Sequence, residues 1–431
     1  MRLIAAAVLG GLAALAGTGA PRLADADGTA TEAAAAAAPT APKVVGWPAG
    51  ATPQAPPNFR VQAYARGLDG PRSMLVLPNG DLLVAEAHAR TNRITLLRDS
   101  AGEGVADHQF VLLDGLNQPY GLVLRRDRLY VANTDAVLSC QFLVGQTRVH
   151  RACRTLFELP AGGYDDHWTR NLAFNADESL IYVTVGSSTD VDEERRDEHE
   201  PHRAAILVAQ PDGRELRVYA NGLRNPVGLA FEPTRERLWT TVSERKLPGE
   251  ERVPDFLTAV RDGAFYGWPY AYSGRNEDPR KRGQRPDLVR RAVAPDVALG
   301  PQVAPLGLAF YRREQFPKSY RGGAFIALHG SWNGAQFAGY KIVYVPFAAG
   351  RPAGPPQDFL TGFIRDADGE AVYGRPAGVA VAVDGALLVA DDAGDTIWRV
   401  TFKCAACTPD PSPARPTRPP PARRPSAAAR P

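Results

Sequence analysis

The sequence lacks strong charge of either sign, a membrane-spanning apolar run and a clear helical period. A net charge of +3 over 431 residues is too small to indicate a nucleic-acid or acidic partner. The apolar run at residues 3–16 is too short for a comfortable bilayer span, so we expect no stable membrane insertion. No segment as long as the repeats described below has a strong helical period, which favours an all-β fold.

Cysteine is scarce, with four residues that form two pairs in the sequence. Cys404 and Cys407 make a CxxC motif, but Thr408 follows where covalent haem attachment requires a histidine. No second CxxC exists to complete a zinc site. We therefore expect either disulfides or free thiols for Cys140 with Cys153 and for Cys404 with Cys407.

The start of the chain has the pattern of a signal peptide. An early charge at Arg2 precedes the apolar run, and small residues follow at positions 18–20. Cleavage at Ala20, or after Ala24 or Ala26, would release an exported protein that is periplasmic or secreted. No cysteine follows the apolar run, so a lipoprotein anchor is not indicated.

Two low-complexity segments flank the central part of the sequence. Residues 27–57 are rich in Ala and Pro and contain few large apolar side chains, so they predict a linker. Residues 404–431 carry the CxxC and then Pro, Ala, Ser and Arg, which predicts a disordered tail. Contact of this tail with an anionic surface is the alternative. Residues 58–403 remain as the folded domain.

One short phrase, a proline turn that runs into an apolar strand, recurs six times. The copies lie roughly 50 to 80 residues apart, the length of a four-stranded blade with or without insertions. They are residues 71–76, 119–124, 169–174, 226–231, 305–310 and 376–381. The third copy alone lacks the proline, and Asp166 and His167 precede it.

Further strand-like segments follow each copy, separated by turns such as 78–80 and 383–385. A ring of such units covers the apolar faces and leaves only short strand edges. The sequence therefore predicts an all-β fold, a six-bladed β-propeller of four-stranded antiparallel blades. We expect residues 59–65 to close the ring as the outer strand of the sixth blade, beside residues 396–401.

The copy starts are expected to surround one mouth of the central channel. His167 precedes the third copy, Arg224 and Asn225 lead into the fourth, His329 follows the fifth and Arg375 precedes the sixth. Histidines, cations and amides would thus converge in one place. The alternative is that each of these residues only caps a strand or fills a turn.

Several long motifs occur in order along the chain: GGYDDHWTRNLAF, IYVTVGSS, GLRNPVGLAF, DGAFYGWPYAY, GGAFIALHGSWN, GYKIVYVPF, YGRPAGVAV and LLVADD. With these motifs the chain resembles the quinoprotein sugar dehydrogenases of the soluble glucose dehydrogenase type, and most closely the sorbosone dehydrogenase branch. The resemblance covers about residues 57–402. It implies a six-bladed propeller that holds pyrroloquinoline quinone (PQQ) in its mouth, with calcium beside it.

The resemblance also implies a catalytic group. The family's histidine base follows an aspartate and stands five residues before a strand leucine, as Asp166, His167 and Leu172 do here. A neutral histidine within reach of a hydroxyl suits proton removal, and Asp166 or Asp165 would orient the ring. Arg224 would stabilise the charge that grows on the quinone oxygen, and calcium would polarise the same carbonyl.

Further residues are expected to bind the quinone. By resemblance, Arg224 and Asn225 contact the cofactor, and Arg375 pairs with one of its carboxylates, a partner that suits an arginine fork. A second arginine of the glucose enzymes corresponds to Ala377 here. For the lysine that also contacts the cofactor in the family, the candidates are His329, Ser331 and Lys341.

Calcium ligands are expected in the loop after the second strand of the fourth blade. In the family, backbone carbonyls of this loop bind the metal, and Lys246 and Leu247 stand where the glucose enzymes have a Gly-Pro turn. A cation is unexpected next to calcium. A second calcium would use the Tyr266 carbonyl together with Glu251, or with Asp255 or Asp278.

The combined features predict an exported PQQ-dependent dehydrogenase that oxidises an aldose, or a sugar aldehyde such as sorbosone, to a lactone or acid. Its partners would be the small sugar substrate and an electron acceptor, either a cytochrome or a quinone. Two other functions stay open, a calcium-dependent sugar lactonase and a non-catalytic propeller that binds a glycan or protein. A lactonase would favour carboxylates at the copy starts, where this chain has His, Arg and Asn.

Overall fold

The computed structural model describes residues 42–88, 91–162, 167–191, 200–247, 253–331, 337–366 and 371–403. The predicted signal peptide, the start of the predicted linker and the tail with Cys404 and Cys407 lie outside these ranges, as do Asp166 and Glu251. Within them, no helix is long and apolar enough to cross a bilayer.

Strands dominate the described part of the chain. In chain order they are β1 (Lys43–Val44), β2 (Phe59–Arg66), β3 (Pro71–Val76), β4 (Leu82–His88), β5 (Thr91–Arg98), β6 (His108–Leu113), β7 (Leu122–Arg125), β8 (Arg128–Ala132), β9 (Ala136–Gln141), β10 (Arg154–Glu158), β11 (Leu172–Phe174), β12 (Ile181–Val185), β13 (Ala205–Ala209), β14 (Arg217–Asn221), β15 (Asn225–Phe231), β16 (Leu238–Ser243), β17 (Pro254–Ala259), β18 (Ala271–Tyr272), β19 (Asn276–Glu277), β20 (Val297–Pro301), β21 (Pro305–Phe310), β22 (Ala324–Leu328), β23 (Lys341–Val345), β24 (Phe347–Ala348), β25 (Arg351–Pro352), β26 (Gln357–Leu360), β27 (Ala371–Val372), β28 (Pro376–Val381), β29 (Leu387–Asp391) and β30 (Thr396–Phe402). A short α-helix, α1 (Pro286–Arg291), and 3₁₀ turns at Pro279–Lys281 and Lys318–Tyr320 lie in the insertions of the fourth and fifth blades.

Six four-stranded antiparallel sheets form the blades, which confirms the predicted fold class. Their strand orders are β3-β4-β5-β6, β7-β8-β9-β10, β11-β12-β13-β14, β15-β16-β17-β20, β21-β22-β23-β26 and β28-β29-β30-β2. The last order contains the predicted closure, because β2 pairs with β30 in the register Val61 to Val400. The first and last parts of the domain therefore share one sheet.

The repeated phrase forms the innermost strand of each blade. These six strands, β3, β7, β11, β15, β21 and β28, contact one another in ring order, and β28 returns to β3. A buried apolar cluster fills the space between each blade and the next; Tyr64, Val84 and Leu388, for example, lie between the sixth and first blades. Burial of these faces is the main stabilising contribution to the ring.

The glycine of the phrase allows neighbouring inner strands to approach each other closely. A Cβ atom on Gly307 would lie 2.8 Å from both the Ala377 carbonyl oxygen and the Val379 nitrogen. In the third blade Asn171 takes this position, and its Nδ2 donates to the Val227 carbonyl oxygen at 2.9 Å. At Gly307, by contrast, a larger residue would collide with the next inner strand at the ring axis.

The residue after each phrase start fills the centre of the ring in four of the blades. Tyr120, Val227, Leu306 and Ala377 form a buried apolar cluster, and Trp168 packs against it. The first and third blades instead carry Arg72 and Arg170 at this position. The channel is thus closed by apolar side chains below a polar mouth.

The described end of the predicted linker lies on the propeller. Strand β1 pairs in parallel with β27, and Gln54 bridges to Thr361. The Trp47 ring packs against Phe363, Tyr373 and Trp398. A single large aromatic side chain thus holds a segment that is otherwise poor in large apolar residues.

The second blade contains a disulfide between Cys140 of β9 and Cys153, the residue before β10. For this pair the disulfide alternative is therefore confirmed. The bond joins the two outer strands of the blade, one of them at the sheet edge.

We expect Gly307→Ala to lower the free energy of unfolding by about 1–3 kcal/mol, because the added methyl group meets backbone atoms that cannot move independently. Gly354→Ala is the matched control, since its methyl group meets only the Pro346 side chain. Urea unfolding followed by circular dichroism measures both. Equal stability of the two variants would contradict this account of the repeat.

Candidate functional site

One end of the propeller collects the polar residues that interrupt the repeat. Because strands in a blade are antiparallel, the start of the first strand lies beside the end of the second, as in the pairs Asn225 with Ser243 and Pro376 with Asp391. Two rings of residues therefore meet at the mouth. One ring precedes the first strands, and the other follows the second strands.

His167 lies before β11 and is 3% exposed. Its Nδ1 is 2.9 Å from the Ser187 hydroxyl and 3.2 Å from the Ser187 carbonyl oxygen. The Ser187 hydroxyl donates to the Thr189 carbonyl oxygen at 2.7 Å and so accepts from the ring. Nδ1 therefore carries the hydrogen, and the neutral ring bears its lone pair on Nε2.

Burial lowers the pKa of His167 well below its ordinary value of 6.5, and the charge of Arg224 lowers it further. The imidazole is thus held in its neutral form. A histidine with a lone pair on Nε2 and a stable neutral form can accept a proton as a general base.

Arg224 lies just before β15 and is 5% exposed. Its Nε donates to the Asp190 carbonyl oxygen at 3.0 Å, and its Nη2 forms an ion pair with the Asp190 carboxylate. Its Nη1 donates to the Ser243 carbonyl oxygen at 3.2 Å. The guanidinium lies 5.6 Å from the centre of the Trp268 ring, which also stacks with Arg245 at 4.7 Å. Several contacts thus fix this cation close to His167.

Asn225, the first residue of β15, is 6% exposed. Its Oδ1 is buried and has no hydrogen-bond partner among the described residues. A Cβ atom on Gly186 would lie 2.5 Å from this oxygen and 2.9 Å from the His167 Cβ. Glycine at position 186 therefore allows the Asn225 amide and the His167 ring to lie side by side.

Arg375 enters the mouth from the sixth blade. Its Nε donates to the His329 carbonyl oxygen at 3.2 Å and its Nη2 to the Gly330 carbonyl oxygen at 2.8 Å. Its backbone N–H donates to the Asp391 carboxylate at 2.7 Å. The buried guanidinium thus connects the fifth and sixth blades.

A carboxylate lies between the cations of the mouth. Asp392 accepts from His329 Nε2 at 2.9 Å and forms an ion pair with Arg72. Burial opposes its ionisation, yet the His329 ring and the Arg72 guanidinium hold the pKa of Asp392 below its usual range. Burial and the charge of Arg375 lower the pKa of His329 to about 4, so its ring is neutral above that pH.

The three candidates for the cofactor lysine occupy different places. The His329 ring donates to the Asp392 carboxylate. Ser331 is buried and accepts from the Ala338 N–H at 3.2 Å. Lys341 begins the third strand of its blade, where its Nζ pairs with Asp358 at 2.7 Å on the outer strand. Among the three, His329 is the one that contacts the other mouth residues.

Ala377, at the position of the second family arginine, is completely buried in the apolar cluster of the channel. A methyl group there packs against Val227 and Leu306 and leaves no polar atom for a ligand. A cation that takes the place of the family's second cofactor-binding arginine must therefore come from another position.

The predicted calcium ligands are backbone carbonyls together with an acidic side chain, and the structure describes only some of these residues. Lys246 is exposed, Leu247 is buried, and the Tyr266 hydroxyl donates to the Ala259 carbonyl oxygen at 2.6 Å. Glu251 lies outside the described residues, as do Asp165 and Asp166, the alternatives for the predicted partner of His167. Over the ranges that the structure describes, no group of three or more His, Cys, Asp or Glu side chains is arranged to hold a metal ion.

Sequence reasoning missed two residues that follow second strands, Ser187 and Asp392. Ser187 holds His167, and Asp392 holds His329 and Arg72. The signal was present, because Ser187 lies two residues after the second strand of its blade and Asp392 lies one residue after the second strand of its blade, as His329 does in the fifth blade. Aligning those positions in the six units would have placed them at the mouth.

The chain matches known proteins over most of its length. A family model described as TrAA12-like matches residues 53–247 and 259–403. A PQQ-dependent pyranose dehydrogenase of Coprinopsis cinerea is 26% identical over an alignment of 333 residues, and the match covers 67% of this chain and 44% of that protein.

Solved structures share the fold. The holo PQQ domain of a pyranose dehydrogenase from Coprinopsis cinerea has a TM-score of 0.69 at 24% identity and covers 81% of this chain and 97% of that one. A calcium structure of a Trichoderma reesei enzyme of carbohydrate-active family AA12 has a TM-score of 0.70 at 20% identity, with 81% and 97% covered. These proteins confirm the predicted resemblance to quinoprotein sugar dehydrogenases, whereas the sorbosone branch stays a prediction.

We expect His167 to remain neutral in the folded protein down to a pH well below 6.5, because protonation would place a buried charge next to Arg224. NMR of ¹³C-labelled histidine rings over a pH series measures this, and His167→Gln assigns the signal. The urea-unfolded protein is the control and should titrate near 6.5. A midpoint at or above 6.5 in the folded protein would contradict the described surroundings of the ring.

Proposed function

The chain belongs to the TrAA12-like family, and we propose that it is a PQQ-dependent dehydrogenase that oxidises a sugar. The observation that supports this most strongly is the grouping of one neutral histidine with several fixed cations and an amide at a single propeller mouth. The pyranose dehydrogenase from Coprinopsis cinerea, a relative of this chain, depends on the same quinone.

The residues of the mouth fit such a cofactor. PQQ is a planar tricarboxylate, and Arg224 and Arg375 offer guanidinium groups that suit carboxylates and ring oxygens. The buried Asn225 Oδ1, which has no partner in the described chain, offers a hydrogen-bond acceptor beside them. When bound, the quinone supplies a two-electron acceptor for the hydride that leaves the substrate carbon.

His167 acts as the general base of the proposed reaction. Its Nε2 takes the proton of the sugar hydroxyl while the C–H bond of the same carbon breaks, which leaves a carbonyl group on the product. The Ser187 hydroxyl and carbonyl hold Nδ1–H and so keep the lone pair on Nε2. Ser187 thereby supports the ring as the orienting member of a triad does.

Arg224 has two roles in this mechanism. Its charge lowers the pKa of His167, which keeps the base unprotonated before the reaction. Arg224 directly precedes Asn225 in the sequence, and its guanidinium would stabilise negative charge that develops on the oxygens of a ligand bound beside them. The contacts to Asp190 and Ser243 hold it in place for both tasks.

Calcium belongs to the proposal only as a requirement for reconstitution. A calcium structure exists for the Trichoderma reesei relative. Among the described residues, no group of three or more His, Cys, Asp or Glu side chains is arranged to hold a metal, and the Lys246 side chain is a cation, so only backbone carbonyls of this loop would serve as ligands. No step of the mechanism is therefore assigned to calcium.

The finer parts of the proposal concern substrate, partner and location. We propose an aldose, or a sugar aldehyde such as sorbosone, as the substrate, and a lactone or acid as the product. A cytochrome or a quinone would reoxidise the cofactor. The predicted signal peptide supports function in the periplasm or outside the cell.

Reconstitution tests this proposal directly. The purified protein is incubated with PQQ and calcium, and dye reduction is followed with a panel of aldoses and sugar aldehydes. Sugar-dependent reduction is the expected result. Release of hydroxy acid from a sugar lactone without any dye reduction would favour a lactonase, and glycan binding without turnover would favour a non-catalytic propeller.

His167→Gln should lower kcat by at least about a thousandfold, because glutamine cannot accept the hydroxyl proton. PQQ affinity, measured by calorimetry on the apoprotein, should change little. His108→Gln serves as a control because that side chain is 54% exposed on the outer strand of the first blade. Turnover near the wild-type rate in His167→Gln would remove the histidine from the mechanism.

Arg375→Lys should weaken reconstitution roughly ten- to a hundredfold, because lysine keeps the charge but loses the fork that grips a carboxylate. Titration of the apoprotein with PQQ at constant calcium measures the change. Loss of the hydrogen bonds from Arg375 to the carbonyl oxygens of His329 and Gly330 would also weaken binding if it destabilised the protein. An unchanged thermal unfolding temperature of the variant apoprotein excludes this cause. Unchanged affinity would exclude Arg375 from the cofactor site.

A further inference from the structure

Arg72 interrupts the apolar centre of the ring at its first blade. The corresponding residues Tyr120, Val227, Leu306 and Ala377 are buried in the channel cluster. The third blade also has an arginine there, but Arg170 donates to the carbonyl oxygens of His167, Thr169 and Pro160. Arg170 Nε also has no partner within the described residues, but its Nη1 and Nη2 are occupied within its own loop, whereas Arg72 Nη1 pairs with Asp392 at the mouth.

One nitrogen of the Arg72 guanidinium has no hydrogen-bond partner among the described residues. Nη1 pairs with the Asp392 carboxylate, and the group lies 5.1 Å from the centre of the Trp168 ring. Its Nε–H is buried and makes no hydrogen bond within the described part of the chain. A buried charged donor without an acceptor is costly, so this atom is suited to an anionic ligand.

Arg72 belongs to the same cluster as the proposed quinone-binding arginine. Asp392 receives hydrogen bonds from both Arg72 and His329, and the His329 carbonyl oxygen accepts from Arg375. The Asp392 N–H also donates to the Arg375 carbonyl oxygen at 3.1 Å. Two guanidinium groups thus lie beside Asp392. The neighbouring Asp391 carboxylate accepts from the Arg375 backbone N–H and from the Trp47 and Trp398 rings, and among the described residues it forms no ion pair with Arg72.

The Arg72 and Arg375 guanidinium groups have the charge sign that binding of a tricarboxylate requires. The position where the glucose enzymes carry a second arginine is Ala377, which is buried among apolar side chains and cannot bind a carboxylate. Arg72 comes from the neighbouring blade, because β28 contacts β3 in the ring. It therefore approaches the mouth from the adjacent side of the channel.

We propose that Arg72 is a cofactor-binding residue that supplies the second guanidinium for a PQQ carboxylate in place of the arginine absent at position 377. This inference rests on the proposed function, since it assumes that the mouth binds PQQ. The alternative is that Arg72 only holds Asp392 and His329 in position.

Calorimetric titration of the apoprotein with PQQ, at constant calcium, tests the proposal without any turnover. Arg72→Gln should weaken binding at least tenfold. Arg98→Gln is the matched control, because Arg98 pairs with the buried Asp81 in the same blade but on its third strand. Its affinity should remain within about twofold of wild type. Equal affinity of Arg72→Gln and wild type would overturn the proposal.

Asp392→Asn separates direct binding from a positioning role. Asparagine still accepts hydrogen bonds from His329 and Arg72 but removes a negative charge next to the ligand. If Arg72 binds a carboxylate directly, this variant should bind PQQ at least as tightly as wild type. A loss as large as that of Arg72→Gln would mean that Arg72 acts only through Asp392, and the proposal would fail.

The outcomes of these titrations also distinguish a failure of the Arg72 proposal from a failure of the proposed function. No binding of PQQ by the wild-type apoprotein would contradict the function itself. Binding by wild type and equally by Arg72→Gln would contradict only the role of Arg72. If Arg72→Gln does not unfold cooperatively, Arg72→Lys replaces it and should show an intermediate loss, because a lysine keeps the charge without the fork. Wild-type affinity in Arg72→Lys would then contradict the proposal.

Discussion

The close approach of the six innermost strands at the ring axis is the constraint on which the rest of the structure depends. Gly307 lets its strand lie against the backbone of the next blade, and the other phrase glycines serve the same purpose. Apolar clusters between the blades then close the ring. Because each blade is antiparallel, this packing also brings the starts of the first strands and the ends of the second strands to one mouth.

The mouth concentrates positive charge in a place where burial makes charge expensive. Arg224 and Arg375 are held mainly by backbone carbonyl oxygens, and Arg72 is held by Asp392. Neighbouring cations and burial act in the same direction on His167, since both disfavour the imidazolium. Under the proposed function, the cations that would attract an anionic cofactor also keep His167 in the form that can accept a proton.

Much of the site could be read from irregular members of the repeat. His167, Arg224, Asn225 and Arg375 break the pattern at the copy starts, and the structure brings them to one mouth. Ser187 could not be recognised in the same way, because a serine after a strand is common and only its distance to the His167 ring gives it meaning. Lys341 was a reasonable candidate by charge, but the outer-strand carboxylate of Asp358 pairs with it. The roles of Asp166 and Glu251 remain predictions, because both residues lie outside the described ranges.

The sequence by itself determined the number of blades, their antiparallel order and the strand that closes the ring, because these follow from a local pattern that recurs along the chain. Only the tertiary structure decided which polar residues share an environment. Arg72 and Asp392 are 320 positions apart, and their ion pair exists because ring closure places the first blade next to the sixth. Contacts across that closure depend on three-dimensional packing, which no local spacing in the sequence encodes.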